Sequence, residues 1–536
     1  MCATSAAVCP SSTCSTVLAL LLGALVFGRV AASSGAIEQY NMTLTFASTP
    51  TQGNYISGDY WVVGPVTLVA TSPAAAGGRN GFEVSPRSTF QNGLDSRTGT
   101  YNASLLPALP LTLKPGDSLL KVISGPDWKG SNPTYLQAAM VLTVVAEPPR
   151  PGSYRPGYFH TDGFVPPTFH SAELQWGAFP SIALPPAPPG FGSPQFEPPP
   201  LGWVQQRFAM PQLDHIFQYI GAEIHPVANM PGAHYGEAIA QDTGLAVSRL
   251  LLNDAPEAKA AAAHGLVQYG IDIGAIVAGG NPNQWNANGG WQNGRKIVLG
   301  LAALVLGAEN VTGITGGYPV LPTQFSEDTE VTVSAIASAP GRVLWGSTTQ
   351  GSYLSAASYW KLLVTGDGDK IQADPYGLID GGGQPGGYYD FCCVFKPWKG
   401  SALGMIVSPA LGKMVNSTPM VEYVKRRAHS GYWTQPDVCA PPTGKCSDGS
   451  GNCKGYLNQP CGSSGKGKCA LDMSEYNKTW GMAADGGCIK DTDAADGIGR
   501  FPSLHGTGAD AGDGGVAFVD RLWASLVKAD APSGGV

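Results

Sequence analysis

Between Pro148 and Pro200 the chain carries Pro185-Pro186, Pro188-Pro189 and Pro198-Pro199-Pro200 among many other prolines. Each proline fixes φ and removes a backbone donor, so neither a sheet ladder nor a long helix can run through this stretch. The fold must therefore be assembled from what lies on either side, with the segment as an extended connector. A stretch this long wraps across a neighbouring domain more readily than it floats free.

The two sides have different hydrophobic periods. From about Tyr40 to Ala146 the pattern alternates: Met42, Leu44 and Phe46, then Tyr60-Trp61-Val62-Val63, Val66-Thr67-Leu68-Val69 and Met140 to Val145, separated by Gly, Pro, Ser and Asn. Short β-rich runs at such spacing predict a β-sandwich. After Trp203 the period becomes helical. Gly236 to Leu252 and Glu257 to Val277 predict an α-hairpin linked through Asn253-Asp254-Ala255-Pro256, and Arg295 to Gly307 predicts a third helix. Weaker helical signals lie at 353–364, 401–414, 420–427 and 515–528. The expected fold is multidomain: an N-terminal β-sandwich (33–147), the connector (148–203), and an all-α, α/α toroid-like domain (204–536) with a disulfide-rich excursion at 436–490.

Ahead of the sandwich, Val17 to Gly28 is an unbroken apolar run followed by Val30 and Ala32, small residues at cleavage-site spacing. Residues 1–32 read as a secretory signal peptide, with a single membrane anchor as the alternative. No later segment is expected to cross a bilayer. Of the 11 Cys, three precede the cleavage site. The remaining cysteines are Cys392, Cys393, Cys439, Cys446, Cys453, Cys461, Cys469 and Cys488, an even set that in a secreted chain implies disulfides. Sequons at Asn41, Asn102, Asn310, Asn416 and Asn477 agree with a secreted glycoprotein. A net charge of −7 with 13% charged residues and no Lys/Arg run argues against a nucleic-acid partner, and against binding to a membrane once the signal is removed.

Three clusters could carry chemistry. The loop Asn281 to Lys296 (NPNQWNANGGWQNGRK) places Trp285, Asn286, Asn288, Trp291 and Arg295 between two helices. Amides hydrogen-bond hydroxyls, indoles cover sugar faces, and a guanidinium binds carboxylates. The same loop also reads as a tight Asn/Gly turn whose tryptophans pack into the helical core. His234 and Tyr235, just ahead of the helix containing Glu237, are candidate acid/base groups or helix-start packing. Last, Asp491, Asp493 and Asp496 precede His505 in a Gly-rich run. Their spacing departs from an EF-hand, leaving a looser structural calcium cage as the one cofactor open to the sequence. No G-x-S-x-G, H-E-x-x-H or P-loop pattern occurs.

The Trp285-x4-Gly290 loop leading to Arg295 and the helix to Gly307 resembles the Asn-Trp substrate loop of secreted α/α-toroid polysaccharide lyases. Asp496-Gly497 followed by His505 is loosely similar to their Asp-Gly…His segment, although those lyases place the β-sandwich after the helices. The broader pattern (GDYWVVGPV, LVQYGIDI, DGIGRFPSLHG) also resembles uncharacterised secreted proteins of bacteria and algae. The resemblance implies a polysaccharide substrate cleaved by β-elimination. Asn286, Asn288 and Arg295 would neutralise the uronate carboxylate, His234 or His505 would take the proton, and Tyr235 would return one. The alternatives are a glycoside hydrolase using carboxylates such as Glu237 and Asp272, and a non-catalytic glycan-binding matrix or surface protein.

Overall fold

The computed structural model describes residues 35–127, 134–216, 225–228, 236–279, 285, 290–307, 325–333, 343–345, 391–430, 443–446, 452–454, 469–470 and 514–527. The N-terminal part is two sheets built from β1 (Ala36–Gln39), β2 (Met42–Phe46), β3 (Gln52–Asn54), β4 (Tyr60–Val63), β5 (Val66–Ser72), β6 (Phe82–Ser85), β7 (Leu111–Leu113), β8 (Ser118–Ser124) and β9 (Leu136–Val145). One sheet runs β1-β2-β5-β7 and the other β3-β4-β9-β8-β6. All pairings are antiparallel except β4 with β9. Met42, Leu44, Phe46, Leu68 and Leu113 of the first sheet share a core with Val62, Leu119, Met140, Leu142 and Val144 of the second.

β9 is buried on both faces, which is why its sequence reads as a continuous apolar run and not a clean alternation. Ala138, Met140, Leu142 and Val144 face the first sheet. Ala139 and Val141, with Leu120 and Val122 of β8, belong to the core of the helical part. The second sheet is thus a middle layer, and the two parts share it.

The connector is tied to both. Tyr154, Tyr158, Phe159, Phe169 and Phe179 are buried in the helical core. Its backbone is also bonded to the helices, with Gln175 N–H donating to Val305 O (2.6 Å), Ile182 N–H to Leu251 O (2.8 Å) and Asn253 N–H back to Ile182 O (2.8 Å). Prolines leave donors sparse here; several others close local turns, such as Glu173 N–H to His170 O and Phe164 N–H to Thr161 O.

The helices are α1 (Leu201–Arg207), α2 (Gly236–Leu250), α3 (Pro256–Ala278), α4 (Arg295–Leu306), α5 (Ser326–Thr329), α6 (Lys396–Val407), α7 (Pro409–Val415), α8 (Thr418–Ser430) and α9 (Gly514–Leu526). The expected α-hairpin and toroid do not form among the described residues. A toroid stacks sequence-adjacent hairpins, but here α3 packs along α4, α4 also touches α2, α2 packs along α6, and α9 covers α2 and α6. Small residues allow this interleaving: a Cβ on Gly400 of α6 would sit 2.6 Å from the Gly244 carbonyl carbon of α2, so the two backbones touch. The helix expected at 401–414 is split, because Pro409 ends α6 and Ser408 caps α7 by accepting from Leu411 N–H.

The excursion also differs from expectation. It contributes a small antiparallel sheet of β12 (Thr443–Cys446), β13 (Asn452–Lys454) and β14 (Cys469–Ala470), following the β10 (Val331–Val333) and β11 (Val343–Trp345) pair. No disulfide within it is found among the described residues; Cys393, ahead of α6, is disulfide-bonded. One expectation about membranes needs correcting as well. α3 is long and apolar enough to cross a bilayer, with a mean hydropathy of 1.2. In this fold it is a core helix, mostly buried against protein.

Candidate functional site

Arg295, singled out in the sequence, opens α4 and meets the rest of the molecule there. Gly294 precedes the helix with φ +90°, and a Cβ there would lie 2.5 Å from Ala240 Cα, so only glycine lets the loop press against α2. This turn drives Arg295 inward, where it is about 1% exposed. Its Nε and Nη2 donate to Asp214 Oδ1 at 3.1 and 3.0 Å, Nη1 to Asn293 O at 2.8 Å, and Nη2 also to His225 Nε2 at 3.1 Å.

The remaining capacity is taken too. Tyr269 of α3 donates its hydroxyl to Asp214 Oδ2. His225 Nδ1 donates to Gln212 Oε1 at 2.9 Å, which leaves Nε2 as the acceptor that Arg295 uses. The His225 segment is pinned to β9 through Val227 N–H to Leu136 O and Ala228 N–H to Gln137 O. Burial pushes the Asp214 carboxyl up, but the Arg295 guanidinium outweighs it and holds it far below the usual range. Burial keeps His225 below its ordinary value and neutral, against the pull of Asp214. Arg295 is therefore a framework group whose donors are committed, not a cation waiting for a substrate carboxylate.

Next to it stands a carboxyl that is not committed. α5 follows Phe325, whose ring stacks on Trp285 at 5.2 Å and 6°, and it places Glu327 under the turn. Gly294 N–H donates to Glu327 Oε1 at 2.6 Å, while Oε2 is buried without a hydrogen-bond partner. Burial raises this carboxyl to about 7; the Gly294 N–H opposes the rise and neighbouring Asp328 adds to it. Asp328 is raised to about 6 by burial, in spite of the Lys296 ammonium and the Ser417 hydroxyl, which donates at 2.9 Å. A carboxylic acid that is half neutral near pH 7 can give or take a proton.

A scan of protein-family models, of curated proteins and of solved structures finds no match to this chain. The resemblance to the lyases rests on the residues quoted for it.

The other sequence candidates fall as follows. Trp285 is 2% exposed and part of the core, so it offers no face to a sugar. Trp291 is half-buried and Glu237 lies in the first turn of α2 at this same end. Asp272 is a satisfied core carboxylate: Arg155 Nη1 and Nη2 reach its two oxygens at 2.8 Å each, and Arg155 Nε holds Asp59 at 2.8 Å. That removes it as an acid/base candidate. His234, Tyr235, Asn286, Asn288, His505, Asp491, Asp493 and Asp496 lie outside the described residues. No group of three or more His, Cys, Asp or Glu among the described residues is set to hold a metal ion. His215 turns to Glu83 and Tyr158.

Glu327 and Asp328 were missed because Ser326-Glu-Asp-Thr-Glu330 reads as a solvated charged run. Asp214 and His225 carried a fainter signal: Asp214 sits between Leu213 and His215-Ile216, in apolar company unusual for a carboxylate.

Proposed function

We propose that this chain is a secreted carbohydrate-active enzyme, a polysaccharide lyase cleaving a uronate-containing glycan by β-elimination, with Glu327 as the acid that protonates the leaving glycosidic oxygen. The observation that carries this reading is the buried Glu327 carboxyl, raised to about 7, with one oxygen uncommitted. It takes the proton-donor role that the sequence had given to Tyr235. Asn286 and Asn288, adjoining this turn in the chain, supply the amide donors for the substrate carboxylate, and Arg295 is bonded to Asn293 and Asp214.

One observation favours hydrolysis as a second reading. Arg295 is held by Asp214 and Lys296 by Asp328, so the described cations here are already paired, while two carboxyls have raised pKa values. Glycoside hydrolysis uses such a carboxyl as its acid and a second carboxylate as base or nucleophile.

The test incubates the secreted protein with acidic and neutral polysaccharides and follows reducing ends together with ultraviolet absorbance. New ends with the absorbance of an unsaturated uronate support the lyase; new ends without it support the hydrolase. Glu327→Gln should slow either reaction by a factor of about 10² to 10⁴. Full turnover by that variant removes Glu327 from the chemistry.

A further inference from the structure

A second site lies between the second sheet and the connector, with no lining residue on α4. A cleft of about 730 Å³ opens where β8 and β9 leave the helical core and the connector crosses their ends. Its size falls within the range of small-molecule sites. Leu119 and Leu142 point into the core between the sheets. Their strand neighbours Ser118 and Thr143, paired directly across β8 and β9, therefore face the other way and floor the cleft.

The floor and inner wall are polar but uncharged. Ser118 Oγ is buried and has no hydrogen-bond partner, and neither has Nδ1 of His160, a residue only 6% exposed. Burial lowers the His160 pKa against the pull of Asp117, so the ring is neutral at physiological pH. Tyr55, beside Thr143, is pushed up to about 12 by burial and keeps its proton. Two unpaired groups buried in one wall are costly unless something binds them.

The outer wall is apolar. Phe164 and several prolines line it, and Val165 stands on the rim 86% exposed, the most exposed large hydrophobic residue described. The charges around the cleft are Asp117, Glu147 and Glu173 against Lys114 and Arg150, so an anionic ligand meets more repulsion than attraction.

We propose that this cleft binds a short uncharged oligosaccharide. Its hydroxyls would reach His160 Nδ1, Ser118 Oγ and the Tyr55 hydroxyl, and a C–H face of a sugar ring would lie on Phe164 and Val165. The site uses only the second sheet and the connector, so it stands apart from the cleavage chemistry proposed at Glu327.

The experiment titrates the full secreted chain, labelled with ¹³C-histidine, with cellotriose, maltotriose and mannotriose, using trigalacturonate as the charged control. His160→Gln assigns the resonance. A saturable shift of the His160 signal with a neutral trisaccharide, absent with trigalacturonate, is the expected result, and Glu327→Gln should show it unchanged. Val165→Asp, at a position too exposed to disturb folding, should weaken binding about tenfold. The proposal is overturned if no neutral trisaccharide moves the His160 signal, if trigalacturonate moves it equally, or if Val165→Asp binds as well as the parent chain.

Discussion

Two buried polar regions in this molecule follow opposite rules. Where the second sheet meets the helices, buried charges are tied into ion pairs and hydrogen bonds: Arg155 holds Asp59 and both oxygens of Asp272, Gln268 closes over the Arg155 backbone, and His215 bridges Glu83 and Tyr158, while of these carboxylates only Asp59 keeps an oxygen without a hydrogen-bond partner. At the entrance to α4, Glu327 is as deeply buried as Asp272 yet keeps an oxygen without a hydrogen-bond partner, as does the less buried Asp328. Closed networks fix how layers meet; open ones cost stability and persist where a proton or a ligand is handled. The difference teaches that burial alone does not mark a site, since Asp272 and Glu327 are alike in burial and differ in what they have left to give.

The largest effect should come from breaking the closed region. Arg155→Met leaves Asp59 and Asp272 facing each other's charge in the core, and such a change costs about 3–5 kcal/mol. Adding Asp272→Asn removes one stranded charge and should recover part of the loss in denaturant unfolding. If Arg155→Met alone is neutral, the junction is not the rigid ion-pair network described, and the contrast with α4 collapses.

Glu327→Gln should have the opposite sign. The folded-state value is about 7 against an ordinary 4.5. Below 4.5 the group is neutral in both states and costs nothing. As pH rises through 4.5 to 7 the unfolded chain ionises first, and a penalty on the order of 3 kcal/mol accumulates. Glutamine keeps an acceptor for Gly294 N–H and has no charge to bury. The variant should be more stable than the parent at pH 8, with the gap closing at pH 4. A variant less stable at pH 8 would mean that Glu327 belongs to a closed network after all.

How much of this was legible beforehand depends on whether the deciding signal is local. The ends of α3 and α4 follow from Pro256 and from the glycines at 279, 294 and 307, and they were read to within a residue or two. Of the second sheet, β4 and the later half of β9 were legible as apolar runs, whereas β3, β6 and β8 were not read, nor was the reason β9 lacks alternation, which is the helical layer on its far face. Helix order could not be read. The contact that sets α2 against α6 is Gly244 on Gly400, and nothing in either glycine names the other. The polar region failed for a similar reason. Arg295 was singled out as a cation for a substrate carboxylate, but its partner Asp214 and the neighbouring Glu327 are distant in sequence, and only the turn at Gly294 brings them together.

The smallest effect probes the closed region more gently. Tyr158 donates its hydroxyl to His215 Nδ1 at 2.9 Å, and His215 Nε2 donates to Glu83 at 2.7 Å, so the ring is held as one neutral tautomer. Burial keeps its pKa below the ordinary 6.5, opposed by the Glu83 charge. A lowered histidine pKa means that the unfolded chain takes up the proton first, so this contribution is intact above 6.5 and is lost as pH falls below it. Tyr158→Phe strands Nδ1 without a donor and should cost about 1–2 kcal/mol at pH 7.5, by denaturant titration. Losing that donor also removes a bond that favours the neutral ring, so the variant's histidine titrates closer to 6.5. Its deficit should therefore shrink at pH 5.5, whereas an unchanged deficit would mean that the hydroxyl serves packing and not the tautomer.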